Sequence, residues 1–525
     1  MVTLNQLSKK IGGRVLFDEV SLVFSPGNRY GLTGANGSGK STLLKILMKI
    51  EEPTSGSVST PKKVGFLQQN IEEYRDDSLL DVVCAGNQRL WSALRERERL
   101  YEGEVTDRVG LRLGELEEII AEEDGYAIES DVELLLSGLS VPVDSLMQPM
   151  HQLPFDMQFR VLLCQALFGK PEALFLDEPT NYLDLNSISW LEGFLRDYEG
   201  TLIVISHDRH FLNAVSTHIA NVDYETVIVY PGNYDQMLET KVAAYQKLEM
   251  ANRSREKKIG QLQTFVARFG SGSRASQVQS RIREIRRLQP QELKKSNIQV
   301  PYISFPSPHL SSGRVVLRGR KVSKQFKGRQ VIKDFSIEIL RGEKVILVGN
   351  NGMGKTTLLR MLAQLLSPDQ GEVDWGHQVT MGYFPQSHSD LIPKETMLSA
   401  YHWLKTQCTS PSEQEVRDVM GKMLFKGDDS FKPISALSGG ETARLILASL
   451  MLRGDNLLFL DEPHNHLDLE SVSALGKGLQ FFSGTLVMAA HDRELINEVK
   501  PTRILLVEGP NVSQFSGSLE ELLSR

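Results

Sequence analysis

The sequence predicts an α/β chain of two tandem, mutually similar domains, joined by a basic two-helix linker and carrying a helical insertion in the first domain. Three observations predict it. A Gly-rich phosphate-loop pattern occurs twice. The residues that follow each loop recur at a fixed offset. One segment between the repeats concentrates positive charge on an otherwise acidic chain. The first loop reads Gly34-Ala35-Asn36-Gly37-Ser38-Gly39-Lys40-Ser41 and the second Gly349-Asn350-Asn351-Gly352-Met353-Gly354-Lys355-Thr356. Both fit G-x-x-x-x-G-K-[ST]. Lys40 and Lys355 lie 315 positions apart, whereas Arg160 and Arg444, Asp177 and Asp461, and His207 and His491 each lie 284 apart. The offset from Gln69 to Gln386 is still 317, so the extra chain of the first copy, 31 residues net when counted from Lys40, lies between Gln69 and Arg160.

Each loop has the context its chemistry requires. Apolar Arg29–Thr33 and Lys344–Val348 read as strands leading into the loops, and Thr42 and Thr357 begin helical runs after them. Such a loop bares backbone N–H groups at a helix N-terminus, a natural cradle for a polyphosphate. Lys40 and Lys355 are placed to reach the outer phosphates. Ser41 and Thr356 offer a hydroxyl to Mg²⁺. Apolar Ala173–Leu176 ends in Asp177-Glu178 and its twin Leu457–Leu460 in Asp461-Glu462. The aspartates suit the magnesium shell and the glutamates can polarise an attacking water. Gln69 and Gln386 follow short apolar strands, where a glutamine can sense water and Mg²⁺; Gln68 is an alternative in the first copy. His207 and His491 end further apolar strands, and their common offset favours a contact with a terminal phosphate. A polyphosphate and Mg²⁺ are therefore the expected ligands.

The whole chain is 525 residues with a net charge of −7, and no apolar run approaches the ~18 residues of a membrane span. No signal-peptide pattern opens it. Its three cysteines (Cys84, Cys164, Cys408) lack metal-ligand spacing, as reduced thiols in a cytoplasmic protein would. The extra chain in the first copy, about residues 87–130, reads as two charged amphipathic helices, with Gly103 and Gly110 bracketing a turn. Residues 241–295 hold 14 Lys and Arg against 4 Asp and Glu, so the rest of the chain sums to −17. Two helices are expected there, Val242–Phe269 and Gln277–Lys294, with a small-residue loop between. Arg268, Arg274, Arg281, Arg283, Arg286 and Arg287 surround that loop. Arginine on an acidic protein points to an electrostatic partner, and arginine with aromatics suits RNA phosphate contact and stacking; a solvated charged hairpin is the alternative reading. Phe265 and Phe269 either stack on bases or pack the hairpin. Residues 297–313, with three prolines, read as an extended lead-in to the second copy.

Together these motifs resemble the ATP-binding cassette (ABC) ATPases, specifically the ABC-F group and its YbiT-like branch: twin P-loop NTPase cassettes in one chain without a membrane domain. The resemblance implies a first cassette over residues 1–238 with a helical arm, a linker over 239–300 and a second cassette over 301–525. It implies a monomer whose cassettes close head to tail, each phosphate loop facing the other's signature. Ser438, Gly439, Gly440 and Glu441 would then face ATP held by the first cassette. Loops starting at Asn181 and Asn465 match the D-loops that cross the seam, and Phe326 matches the adenine-stacking aromatic, where the first copy has Ile11. The linker position implies contact with ribosome and tRNA. The first copy departs from the pattern at the signature, where Pro154-Phe155-Asp156 stand for Ser438-Gly439-Gly440. Proline lacks an N–H, the glycines that allow close approach are gone, and Asp156 repels phosphate if it faces it. His464 replaces the threonine usual after Glu-Pro. The expectation is a soluble ATP hydrolase that turns over mainly at the first site. A transporter ATPase with a separate membrane subunit and a nucleotide-gated binder with little hydrolysis are the alternatives.

Overall fold

The computed structural model describes residues 1–67, 70–101, 107–269, 275–287, 300–308, 310–326, 328–392, 398–408, 411–465, 467–515 and 521. Each repeat forms a six-stranded sheet covered on one face by a three-stranded antiparallel sheet. In the first repeat the spatial order is Val64–Phe66, Ala173–Asp177, Thr201–Ile205, Arg29–Gly34, His218–Asp223, Thr226–Pro231. The first five strands run parallel and the last antiparallel. The second repeat reproduces the order with Met381–Phe384, Leu457–Asp461, Thr485–Ala489, Lys344–Val348, Arg503–Glu508, Asn511–Phe515. The inner strands are continuous apolar runs because both faces are covered. Phe175 and Phe459 are wholly buried at the middle of these sheets. The phosphate-loop strand lies centrally in each sheet, with the acidic-pair strand two places away. The loops at the C-terminal ends of these parallel strands therefore converge, as expected for ligand sites in open α/β sheets.

The repeats interlock. Leu185, which opens helix Leu185–Arg196 in the first repeat, is buried in the core of the second. Its counterpart Leu469 packs against the core of the first. Across the seam Asn351 Nδ2 donates to the Tyr182 carbonyl at 2.9 Å, Arg209 Nη1 meets Glu494 Oε1 at 2.7 Å, and Arg493 Nη2 donates to Ser189 Oγ at 2.9 Å.

Two expectations need correction. Gly110 does not mark a turn; it lies inside helix Asp107–Glu122, which packs against Gln88–Tyr101. A helical glycine costs about 1 kcal/mol. Burial of Leu116 and Ile120, together with Arg112 bridging both carboxylate oxygens of Glu96 at 2.7 and 2.8 Å, outweighs it. The first linker helix runs Tyr234–Phe269, so it starts well before Val242, and the boundary expected at residue 238 falls inside it. The sequence signal for the earlier start is Asn233, whose Oδ1 accepts from Gln236 N at 3.1 Å. Tyr234 and Met237 then anchor the first turn in the core. The second linker helix is Ala275–Arg287, and residues 288–299 lie outside the described residues. The lead-in is extended, and its Ile303 and Phe305 are buried in the second repeat, Phe305 against Phe482 with ring centres 5.7 Å apart. No helix among the described residues is long and apolar enough to cross a membrane.

Candidate functional site

Both phosphate loops end on a glycine in the left-handed region: Gly39 at φ 101° and Gly354 at φ 100°. A Cβ there would meet Leu16 Cβ at 3.1 Å or Val331 Cγ1 at 2.6 Å, so both conformation and space require glycine. Each lysine folds back onto its own loop. Lys40 Nζ donates to the Gly34 and Ala35 carbonyls at 2.7 and 3.2 Å, and Lys355 Nζ repeats this with Gly349 and Asn350 at the same distances. Burial holds the Lys40 ammonium below its ordinary pKa. The helices Lys40–Leu47 and Lys355–Leu362 begin at these lysines, so their first N–H groups point into the loop.

The acidic pairs occupy a strained corner. Glu178 has φ 53° and Glu462 φ 48°, a region that costs a non-glycine residue about 1–3 kcal/mol. Their backbone N–H groups donate to Ile205 O at 2.9 Å and Ala489 O at 2.8 Å, which fixes the turn. Asp461 Oδ1 accepts from Thr356 Oγ1 at 3.1 Å, while its buried Oδ2 has no protein partner. Asp177 stands against Ser41 in the same way. A hydroxyl beside a partly unsatisfied carboxylate is a hard-oxygen set that fits Mg²⁺.

Their surroundings shift the two glutamates in opposite directions. Burial pushes the Glu178 carboxyl up to about 7, even though His207 N donates to its Oε2 at 3.1 Å. Burial would also raise Glu462, but the His491 and His464 imidazoles and Lys355 outweigh it and hold it at about 2. His491 Nδ1 lies 2.7 Å from Glu462 Oε2, and His207 Nε2 lies 3.2 Å from Glu178 Oε1. Burial pushes His207 down to about 4. Burial, then the Glu462 charge, lifts Asp461 to about 7.

Two of the cavities that straddle the seam hold the phosphate-loop residues. One, of about 530 Å³, brings Asn36, Gly37, Glu178 and His207 of the first repeat against Ser438, Gly439, Gly440 and Glu441 of the second. The other, of about 910 Å³, brings Asn351, Gly352, Lys355, Thr356, Thr357, Gln386, Glu462 and His491 against Phe155 and Asp156. Asp156 thus does face the second cavity. Ser438 caps helix Gly439–Arg453 with a capping box: Glu441 N donates to its Oγ at 3.3 Å and Ser438 N to Glu441 Oε2 at 2.8 Å. Helix Phe155–Leu167 starts at Pro154 with no side-chain cap. Its Phe155 packs edge-on to Tyr182, ring centres 5.3 Å apart.

Other predicted residues stand apart. Phe326 is exposed at a strand end, with Lys324 Nζ 5.6 Å from its ring centre, and neither cavity reaches it; Ile11 is also exposed. Gln69 and Arg274 lie outside the described residues, as does His466 of the second D-loop, and only the backbone of Arg268 and Arg286 is described. Arg281, Arg283 and Arg287 are exposed on the second linker helix. Arg281 Nη1 pairs with Glu284 at 2.8 Å, leaving much of the helix's positive face open. The sequence analysis missed Arg14 and Arg444, which line the first cavity, and Tyr182, whose carbonyl is bonded from the opposite repeat. Arg444 did carry a signal, as the arginine matched to Arg160, but Arg14 carried none.

The pattern of the ABC transporter family matches residues 17–181 and 332–465, and a second pattern, also described as ABC transporter, matches residues 220–305. The probable ATP-binding protein YbiT of Escherichia coli O157:H7 is 39% identical, over 100% of this chain and 99% of its own. The ABC transporter ATP-binding protein YkpA of Bacillus subtilis (strain 168) is also 39% identical, over 100% and 97%. Among solved structures, an archaeal ribosome recycling factor in complex with a ribosomal stalk protein superposes with a TM-score of 0.62 at 18% identity, over 97% of this chain and 89% of that one. At that identity the likeness shows the fold alone.

Proposed function

The chain belongs to the ABC family of ATP-binding proteins, in its twin-cassette ABC-F group, and is an ATP hydrolase; from that premise we propose that it is an ATP-closed clamp that carries its basic linker onto ribosomal RNA and tRNA, at the tRNA exit site, and leaves after hydrolysis. The observation that supports the clamp most directly is the first cavity, where one cassette's phosphate loop meets the other's signature. A ligand contacting both walls binds the closed form better than the open one, which is the requirement for ligand-driven closure.

In this reading Lys40 and Lys355 leave their loop carbonyls for the outer phosphates, and Ser438 with the N–H groups of Gly439 and Gly440 completes the first site. Ser41 with Asp177, and Thr356 with Asp461, would hold Mg²⁺. Bound there, the ion neutralises charge on the phosphates. Glu178 takes the proton of the attacking water. Its carboxyl lies close to neutrality, so it can accept and return that proton at physiological pH. His207 stays neutral beside it and can donate to a terminal phosphate oxygen. At the second site Pro154 contributes neither hydroxyl nor N–H, and Asp156 adds negative charge, so ATP binds there but turns over more slowly.

The ribosome reading is supported by the linker's charge excess and by exposed Arg281, Arg283 and Arg287. The test is co-sedimentation of the Glu178→Gln/Glu462→Gln protein with ribosomes in ATP and in ADP. ATP-dependent pelleting, lost when Arg281, Arg283 and Arg287 become Glu, is expected. Absence of pelleting in both nucleotides would overturn it.

A further inference from the structure

We propose that His464 and His491, with Glu462 set against His491, form a site for one divalent transition-metal ion of the zinc class, distinct from the Mg²⁺ position at Thr356 and Asp461. His464 Nε2 and His491 Nε2 stand 3.2 Å apart. Two nitrogens about 2.05 Å from a tetrahedral ion are separated by about 3.3 Å. Glu462 Oε2 lies 2.7 Å from His491 Nδ1 and 3.5 Å from His464 Nε2, and one ligand atom from each of the three residues falls within 4.8 Å of the others. The carboxylate charge 2.7 Å from the second ring nitrogen raises the basicity of the imidazole. Imidazole nitrogens select zinc, nickel or copper over magnesium, which prefers oxygen.

The first cassette serves as an internal comparison. There Thr180 occupies the His464 position and Ser206 the Ala490 position. The two hydroxyls bond each other at 3.3 Å, and His207 is the single imidazole beside Glu178. In the second cassette the hydroxyl pair has become His464 and Ala490, and the small alanine leaves room for a second ring, which meets His491 edge-on with centres 4.4 Å apart. The pair is within reach of solvent ions, because His464 and His491 both line the 530 Å³ cavity at the seam. Water from that cavity fills the remaining coordination positions.

The ion site stands on these side chains alone. Its consequence rests on the proposed function: a bound ion ties down His491 and Glu462 and arrests the second nucleotide site. The test uses the full chain, free of nucleotide, titrated with Co²⁺ as a spectroscopic probe for zinc. One equivalent of Co²⁺ is expected to give the visible bands of a nitrogen-ligated ion, displaced by Zn²⁺. In His464→Thr/Ala490→Ser, which copies a layout the first cassette already folds around, affinity should fall at least about tenfold. His464→Gln provides a second variant of similar size should the first unfold. No bands in the wild-type protein, or bands of equal affinity in both variants, would overturn the assignment and leave the 3.2 Å contact as a plain imidazole–imidazole hydrogen bond. Neither result touches the ribosome reading, which the pelleting experiment tests separately.

Discussion

The two nucleotide sites should differ in rate, and the capping geometry sets the size of the difference. In the second signature, Ser438 N–H is already committed to Glu441 Oε2, so the donor left for phosphate is the Ser438 hydroxyl. The first signature has Pro154 there, with neither group. The second site therefore lacks one charge-assisted hydrogen bond, worth roughly 1.5–3 kcal/mol. At about 1.4 kcal/mol per tenfold in rate, that is roughly a 10- to 150-fold deficit. Asp156 pushes the same way. Its charge is only weakly offset by Arg160 Nη2 at 4.0 Å. Steady-state phosphate release at saturating Mg-ATP should thus fall to about a tenth or less in Glu178→Gln, while Glu462→Gln retains most of the wild-type rate. If Glu462→Gln loses as much as Glu178→Gln, the reasoning from the degenerate signature is wrong.

Three more perturbations have defined outcomes. Gly354→Ala forces a Cβ to 2.6 Å from Val331 Cγ1 at φ 100°; fluorescent-nucleotide binding should drop sharply and stability fall by about 1–3 kcal/mol in thermal melts. Arg160 is buried and donates to the Leu139 carbonyl at 3.0 Å and to Asp184 Oδ2 at 3.1 Å. Arg160→Ala leaves that buried carboxylate unpaired, so denaturant melts should show a loss of about 3–5 kcal/mol. Asp492 is buried and faces Asp208 across the seam, and burial first, then the Asp208 charge, pushes its carboxyl up to about 7. The folded, apposed form then holds more protons than the unfolded chain between pH about 4 and about 7, so stability should fall as pH rises through that window. Asp492→Asn keeps an N-cap acceptor for Leu495 N and should flatten the dependence of melting temperature on pH; an unchanged slope would count against the pair.

The legible and illegible parts of the molecule separate by range. Phosphate loops, acidic pairs and their strands could be read because each is a local pattern whose spacing is fixed by one strand–turn–helix unit. Asp156 could be flagged as a repelling charge, but its facing the cavity depends on where the opposite cassette lies. The Arg209–Glu494 contact and the exchange of Leu185 and Leu469 between cores were invisible, because the first joins residues 285 positions apart and the second sets each leucine in the core of the other repeat, with no local periodicity to mark either. The meeting of His464 with His491 was likewise hidden, since it joins two loops 27 positions apart. Gly110 was misjudged because its local propensity is overridden by the Leu116 and Ile120 contacts of the packed hairpin.

The long helix Tyr234–Phe269 has a mechanical consequence. Its 36 residues make a rod of about 54 Å. In its first turn Asp235 bonds Arg209 Nε at 2.6 Å, and the same guanidinium reaches over to Glu494 of the other cassette at 2.7 Å. The fulcrum of the rod is thus clipped to both halves of the protein. A tilt of about 5° at that fulcrum sweeps the far end through about 5 Å. An ångström-scale shift at the seam would therefore be enlarged at the rod's far end, through the stiffness of one helix and the strength of one guanidinium joint.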